Sequence, residues 1–494
     1  MKSFLILLLI VPLLVFSQDP REFNHGTCIV PYQNNNNNIK YYLTWSSAFN
    51  NAWEHDIYNA TIYFDTNGNL IEDKPNQLFI GTGSDEAQEP VNATINKVNN
   101  TILSVWEDGV DLDAPNVRGQ LHSPTGAIMR SNWVIAGGTG SQHSANTAHL
   151  NNKYLVFYAD EAPPSTGGAV LKAKVIDDST GDERQTISFT PNNEDHWWPV
   201  SVSNSDHTRT LIVWGNDGFA VRGTVLFDNA GLIEKKKEVQ DYLTNTQQYY
   251  YQVEWLENIS KFILIARNGA YNDITDSSQI CLIDTDGNII SSTTVAGGIL
   301  REAKMAVKWS QCSQTYHIFY PSGTSNLTQI SIDNLGVVSN LSNQIIGHSD
   351  LSAIQWTSTG IWSTFITDIN GNDLIEDDYI VFFIMNDLLS DNIVKIPVRL
   401  DTSLFCDTLT IDESEIDENS LILYPNPTHD IVIIPNKFIN STYEVVSING
   451  QILQQGKVIS NKISLLSLNS GMYFIKIIDR ESGNQYLFKV FKRS

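Results

Sequence analysis

One phrase recurs between residues 27 and 400, and it constrains the fold more than any other feature of the chain. Each copy has an apolar run ending in an aromatic, a polar loop, a second run and a turn closed by glycine. The turns are Asp65-Thr-Asn-Gly68, Ser123-Pro-Thr-Gly126, Asp178-Ser-Thr-Gly181, Asp228-Asn-Ala-Gly231, Asp284-Thr-Asp-Gly287 and Asp333-Asn-Leu-Gly336, with glycines 58, 55, 50, 56 and 49 residues apart. Asp-x-x-Gly suits a tight turn because the Asp side chain bonds the backbone two residues on and Gly accepts positive φ. The runs upstream are Tyr41–Trp45, Ile102–Trp106, Tyr154–Tyr158, Leu211–Trp214, Phe262–Ile265 and Tyr316–Tyr320. Their β-branched and aromatic content and short length predict strands. A looser seventh copy runs from Leu351 through Trp362–Ile366 to Tyr379–Ile384, without the Asp-x-x-Gly turn.

No long stretch outside the N-terminus carries helical periodicity, so the chain reads as all-β. A repeat of roughly 40–50 residues holding four strands is the blade of a β-propeller. Closure into a ring leaves few sheet edges exposed. Seven copies predict a seven-bladed propeller over residues 25–405, with six or eight blades as alternatives. A pair of β-sandwiches is the rival, but it needs no such regular turn spacing.

Residues 1–17 pair Lys2 with the apolar run Phe4–Phe16, ahead of Ser17 and Gln18. This is the layout of a secretory signal peptide, cleaved near Ser17, and too short to span a bilayer as a helix. No second run of eighteen apolar residues follows, which predicts no transmembrane segment in the mature chain. Cys28, Cys281, Cys312 and Cys406 are even in number, so an exported chain permits two disulfides in three pairings. Cys28–Cys406 with Cys281–Cys312 is the favoured set because it clasps the two ends of a closed fold; four buried thiols are the alternative. No CxxC or Cys/His cluster predicts a metal site, and no motif predicts a cofactor. The formal charge of −24 argues against unassisted binding to nucleic-acid backbones or anionic membranes.

Residues 407–418 hold six carboxylates and no base, which reads as a solvated acidic linker over residues 406–420. Residues 421–494 reverse the sign, with eight Lys/Arg against four Asp/Glu, leaving −28 for the rest. Strand-like runs here are bounded by Asn449-Gly450 and Ser470-Gly471, which predicts a small Ig-like antiparallel sandwich.

The tail resembles the type A C-terminal sorting domain of the Bacteroidetes type IX secretion system. The matching pieces are Tyr424-Pro425-Asn426-Pro427, the Ile448–Gly450 turn, the strand Ser470–Ile477 opening at Gly471, and the terminal Lys489–Lys492. The resemblance implies crossing of the inner membrane by the signal and of the outer membrane by the tail. It also implies the type IX machinery as partner, removal of the tail, and release or attachment at the cell surface.

Nothing in the resemblance says what the repeats do. A propeller gathers the starts of its innermost strands around a central mouth. Reading back from each apolar run places Glu86, Gln88 and Glu89 there, then Gln142, His143 and Asn146, then Asp195, His196, Trp197 and Trp198. Gln248, Tyr249, Tyr250 and Tyr251 follow, then Arg301 and Glu302, then His348 and Asp350. Of these, Gln142, His143, His196, Trp197, Tyr249, Tyr250, Arg301 and His348 are the expected ligand contacts. Aromatic faces stack on apolar sugar faces while amides and carboxylates take hydroxyls, so the expected partner is a polysaccharide or a surface protein. No nucleophile or catalytic motif appears, which favours binding without chemistry. A polysaccharide lyase, with His143 or His196 as base, Tyr249 or Tyr250 as acid and Arg301 neutralising a uronate, is the alternative, ahead of a hydrolase. A structural adhesion component is the third reading. Asp368–Asp373 with Glu376–Asp378 departs from the EF-hand pattern and reads as an exposed acidic turn.

Overall fold

The computed structural model describes residues 24–493 apart from 34–38, 48–55, 65–69, 81–87, 110–114, 124–126, 162–167, 191–195, 217–218, 270–275, 301–302, 311–312, 323–325, 343–361, 366–378, 387–392, 401–422, 424–427, 429, 448–449 and 481–484. The chain divides into two compact units, Met1–Cys406 and Asp407–Ser494.

Seven antiparallel sheets follow one another through the described residues of the first unit, each a meander of consecutive strands. The first holds β1 (Asn24–Gln33), β2 (Ile39–Ser47), β3 (Asp56–Phe64) and β4 (Leu70–Ile80). The second holds β5 (Gln88–Ile95), β6 (Ile102–Asp108), β7 (Asn116–His122) and β8 (Ile128–Ala136). The third holds β9 (Ser141–Leu150), β10 (Lys153–Glu161), β11 (Val170–Asp177) and β12 (Glu183–Ser188). The fourth holds β13 (His196–Ser203), β14 (Arg209–Asn216) and β15 (Ala220–Asn229), with its edge split into β16 (Leu232–Lys235) and β17 (Gln240–Thr244). The fifth holds β18 (Thr246–Leu256), β19 (Lys261–Asn268), β20 (Ser277–Ile283) and β21 (Ile289–Ala296). The sixth holds β22 (Ala306–Ser310), β23 (Thr315–Ser322), β24 (Asn326–Asp333) and β25 (Val338–Ser342). The seventh holds β26 (Trp362–Phe365), β27 (Tyr379–Asn386) and β28 (Ile393–Leu400).

The recurring apolar runs are the second strands. β6 is buried at every residue, and β10, β14, β19 and β23 through most of their length, because each sheet is covered on both faces by its neighbours. Leu103 and Val105 of the second sheet pack with Tyr154 and Val156 of the third. Phe157 of the third packs with Ile212 and Trp214 of the fourth, and Val213 of the fourth with Leu264 of the fifth. Fourth strands such as β12 and β21 are mostly exposed, so they form the outer rim. The first strands lie against one another instead: β1 on β5, β5 on β9, β9 on β13 and β13 on β18. β26 lies beside both β22 of the sixth sheet and β1 of the first.

The glycine turns join third strands to fourth strands. Gly231, Gly287 and Gly336 have φ of 101°, 83° and 82°. The carboxylate of Asp228 accepts from the Gly231 amide at 2.7 Å, and that of Asp333 from the Leu335 amide at 2.9 Å. In the third sheet the capping residue is Asp177, which accepts from the Ser179 amide at 3.0 Å; Asp178, expected to open this turn, points inward.

Cys28 and Cys281 are free, buried thiols rather than the expected disulfide partners, and Cys312 and Cys406 lie outside the described residues. Both thiols face apolar layers between sheets, Cys28 beside Val30 and Ile95 and Cys281 beside Val225 and Leu264.

The second unit has β29 (Ile431–Ile433), β30 (Thr442–Ser447), β31 (Ile452–Lys457), β32 (Lys462–Ser464), β33 (Gly471–Ile478) and β34 (Gln485–Lys492). They form a two-stranded sheet, β29–β32, and a four-stranded sheet ordered β31–β30–β33–β34. Val432, Phe438, Val445, Ile463, Ile475 and Val490 fill the space around which both are built. Gly450 turns the chain between β30 and β31 with φ of 81°, a conformation that strains any residue with a Cβ.

Candidate functional site

Five of the seven first strands share a defect at their N-terminal ends. β1 carries a register shift between His25 and Cys28, β5 between Glu89 and Asn92, β9 between His143 and Asn146, β13 between Trp197 and Val200, and β18 between Thr246 and Tyr251. A bulge re-aims the side chains around it, and bulges gather beside binding sites for that reason. In three of these strands a residue with a Cβ takes positive φ: Ser144 at 59°, Trp198 at 56° and Tyr249 at 67°. For an aromatic side chain that conformation costs about 1–3 kcal/mol, so neighbouring contacts must hold it.

Tyr251 supplies one such contact. Its buried hydroxyl accepts from the Gly215 amide at 2.7 Å and donates to the Trp198 carbonyl at 2.6 Å, with the Trp197 carbonyl at 3.1 Å. A strand of the fifth sheet thus clamps the bulge of the fourth. Gly215 leaves room for it, since a Cβ there would lie 3.3 Å from that hydroxyl.

The bulges bring a row of rings together across three sheets. His143 of β9 stacks on Trp197 of β13 with centroids 5.0 Å apart. Trp198 meets the edge of Tyr249 of β18 at 5.2 Å. The Arg267 guanidinium lies 5.5 Å from the centre of the Tyr250 ring. Trp197, Trp198, Tyr249 and Tyr250 are all partly exposed.

Carboxylates frame the His143 end. His143 Nε2 lies 3.1 Å from Glu161 Oε1, and its Nδ1 lies 3.0 Å from the Ser144 hydroxyl. The Ser144 amide donates to the carboxylate of the buried Glu107. Burial opposes protonation of His143, but the Glu161 hydrogen bond and the charges of Glu107, Glu161 and Asp160 outweigh it and raise its pKa. The same hydrogen bond lowers the pKa of Glu161. The pair therefore carries imidazolium character toward neutral pH.

The expected contacts are divided by the structure. His143, Trp197, Tyr249 and Tyr250 stand at the bulged ends of their strands. His196 is fully buried, with Nδ1 accepting from the Trp214 indole at 3.2 Å, so it packs beneath this end rather than lining it. Gln142 is buried and donates to Asp160 at 2.9 Å; it borders a separate cleft of about 530 Å³ with Asn116, Tyr158, Lys172 and Lys174. Arg301 and His348 lie outside the described residues. Sequence reasoning passed over Glu107, Asp160, Glu161 and Arg267. All four come from the ends of second strands, where the apolar run gives way to charge beside the start of the first strand. Among the described residues no three His, Cys, Asp or Glu side chains are placed to hold a metal ion.

No curated protein matches the chain in sequence. Among solved structures, a periplasmic gluconolactonase of Pseudomonas aeruginosa is similar at 11% identity over 64% of this chain and 84% of that one, with a TM-score of 0.43. An α-L-arabinofuranosidase of Fusarium graminearum is similar at 10% identity over 77% and 94%, with a TM-score of 0.39. A protein of unknown function from Dyadobacter fermentans is similar at 8% identity over 74% and 92%, with a TM-score of 0.43. No family is found for the central region. No helix among the described residues is long and apolar enough to cross a membrane. The secretion system C-terminal sorting domain family matches residues 422–491, the stretch that holds Tyr424–Pro427, Gly450 and Gly471. With that domain at its end the chain is cargo of the type IX secretion system, exported to the cell surface or the extracellular space.

Proposed function

We propose that the unit ending at Cys406 is a seven-bladed β-propeller that binds an acidic glycan where its first strands begin. Seven stacked sheets, first strands packed on one another, and β26 set beside β1 support the ring. The observation that carries the binding reading is the row of His143, Trp197, Trp198 and Tyr249, presented by bulges whose backbone strain the fold maintains. Rings offer faces to sugar rings, and the Arg267 guanidinium beside Tyr250 offers charge to a uronate. The same reading takes residues 1–17 as a cleaved signal peptide and the tail as an Ig-like sandwich.

A lyase on this scaffold is the second reading, because His143 beside a carboxylate is the arrangement of an oriented base. The hydrogen bonds at both ring nitrogens and the raised pKa favour binding over proton abstraction. The test is electrophoresis of the full chain through gels cast with uronate-rich and neutral polysaccharides. Retardation by the acidic polymers, weakened by Trp197→Ala and Tyr249→Ala and leaving the chains intact, is expected. Shortened chains with new ultraviolet absorbance would establish elimination instead, and absence of retardation would sink the glycan reading.

A further inference from the structure

Six residues beyond His143 along β9, a distance of about 20 Å, the first strands and neighbouring loops line an open cavity of about 210 Å³. Cys28, Lys97, Thr147, His149, His207 and Lys304 are among its walls, and no carboxylate of the described residues lines it. This is unusual in a chain of net charge −24.

The walls are rich in donors. Lys304 is anchored by Glu254 at 2.9 Å, and an ammonium has three N–H groups to give. The Thr147 hydroxyl is buried, the residue being 7% exposed, and it has no hydrogen-bond partner among the described residues. A buried polar group without a partner is costly, and at a cavity wall it implies a guest that supplies the bond. The fields of both lysines reach the walls. Burial chiefly holds His149 to a pKa of about 4, with Lys97 adding to it. Burial, His149 and then Lys97 take His207 to about 3. Burial lifts the Cys28 thiol to about 11 against the pull of the Ala93 hydrogen bond and Lys304.

The histidines are fixed from behind. Asp178, released from its turn by Asp177, sits 3.1 Å from His149 Nε2 and accepts from the Asn96 amide at 2.6 Å. His149 Nδ1 and His207 Nδ1 are 2.6 Å apart, a contact that requires one proton between them. With His149 donating to Asp178, His207 supplies that proton, and both rings are neutral. The cavity thus meets its guest with ammonium and hydroxyl donors, and an acceptor-only guest complements it.

We propose that this cavity binds a small phosphate-like oxyanion through Lys97, Lys304 and the Thr147 hydroxyl. The site is independent of what binds at the bulged ends of the strands. The test is calorimetric titration of the full chain with inorganic phosphate at low ionic strength, against chloride at matched ionic strength. A saturable single site with a dissociation constant of about 1 mM or tighter is expected. Lys97→Met and Thr147→Val should each weaken it about fivefold or more, as loss of a hydrogen bond to a charged group does. Thr147→Val also removes an unpartnered hydroxyl, so its melting midpoint should not fall, which separates loss of a ligand contact from loss of structure. The exposed Lys97 gives a variant that folds regardless. No saturable phosphate heat, or phosphate binding that a folded variant retains unchanged, would overturn the proposal.

Discussion

At the scale of single residues, the Tyr251 hydroxyl does most to shape the candidate site while itself being hidden from it. It accepts from one backbone amide and donates to the carbonyl of the strained Trp198 itself. Tyr251→Phe leaves those two buried backbone groups without their partner, which costs about 1–3 kcal/mol. The expected outcome is a lower denaturant midpoint together with weaker retardation in acidic polysaccharide gels; unchanged retardation would mean that the bulge holds its shape without the hydroxyl. Cys28 and Cys281 invite a second prediction. Burial lifts their thiols to about 11 and 12 and keeps them as inert apolar fillers. Neither should take iodoacetamide in the native protein at mildly alkaline pH, and both should in denaturant, as counted by mass spectrometry of their peptides. Protection that persists in denaturant without reductant would show that these cysteines are paired after all.

At the scale of strands, legibility followed hydrophobicity. The second strands and the glycine turns were readable because full burial demands unbroken apolar runs and positive φ demands glycine. The first strands were not: β9 reads Ser-Gln-His-Ser-Ala-Asn-Thr-Ala-His-Leu, whose polar groups stand at the bulged end and along the 210 Å³ cavity rather than in a sheet core. Their bulges break the alternation that would otherwise betray a strand. Hence His143, Trp197 and Tyr249 could be placed only by stepping back from the next apolar run, and His196 was placed on the wrong face by the same step. Asp178 was misread because it alone lies three residues before Gly181, as the turn pattern asks, whereas the cap is Asp177 one residue earlier and Asp178 turns to His149. In the tail, the final lysine of the Lys489–Lys492 strand end has a physical reason. Lys492 Nζ donates to the carbonyls of Leu465 and Leu468, both at 2.8 Å, and pairs with Asp430 at 3.2 Å. Lys492→Met should destabilise the second unit by about 1.5–3 kcal/mol. Calorimetry of the full chain should show the loss in one transition only, since the two compact units have separate cores.

At the scale of the whole molecule, the response to acid is set by histidines that the fold keeps neutral. Burial holds His122, His149 and His317 to pKa values of about 4 and His207 to about 3, below the ordinary 6.5. Between those values the unfolded chain binds protons that the folded chain refuses, so stability falls as pH drops from about 6.5 toward 4. For His122, which is almost wholly enclosed, the shift corresponds to about 3 kcal/mol. Lys97, Asp178 and Asp206 face the His149–His207 pair, and Asp206 offsets part of that effect at His207. His143 runs the other way. Its raised pKa stabilises the fold below about 6.5 and loses that contribution as pH rises through the folded value, while Glu161, with its lowered pKa, loses its share as pH falls below its ordinary 4.5 through the folded value. Four depressed groups outweigh one raised group, so the melting midpoint of the first unit should fall steadily between pH 7 and pH 4. His122→Gln should flatten that slope, because a side chain that does not titrate cannot be pulled open by protons. A midpoint independent of pH over this range would mean that these imidazoles take up protons as readily in the folded protein as in the unfolded chain, and the neutral His149–His207 pair behind the oxyanion cavity would fall with it.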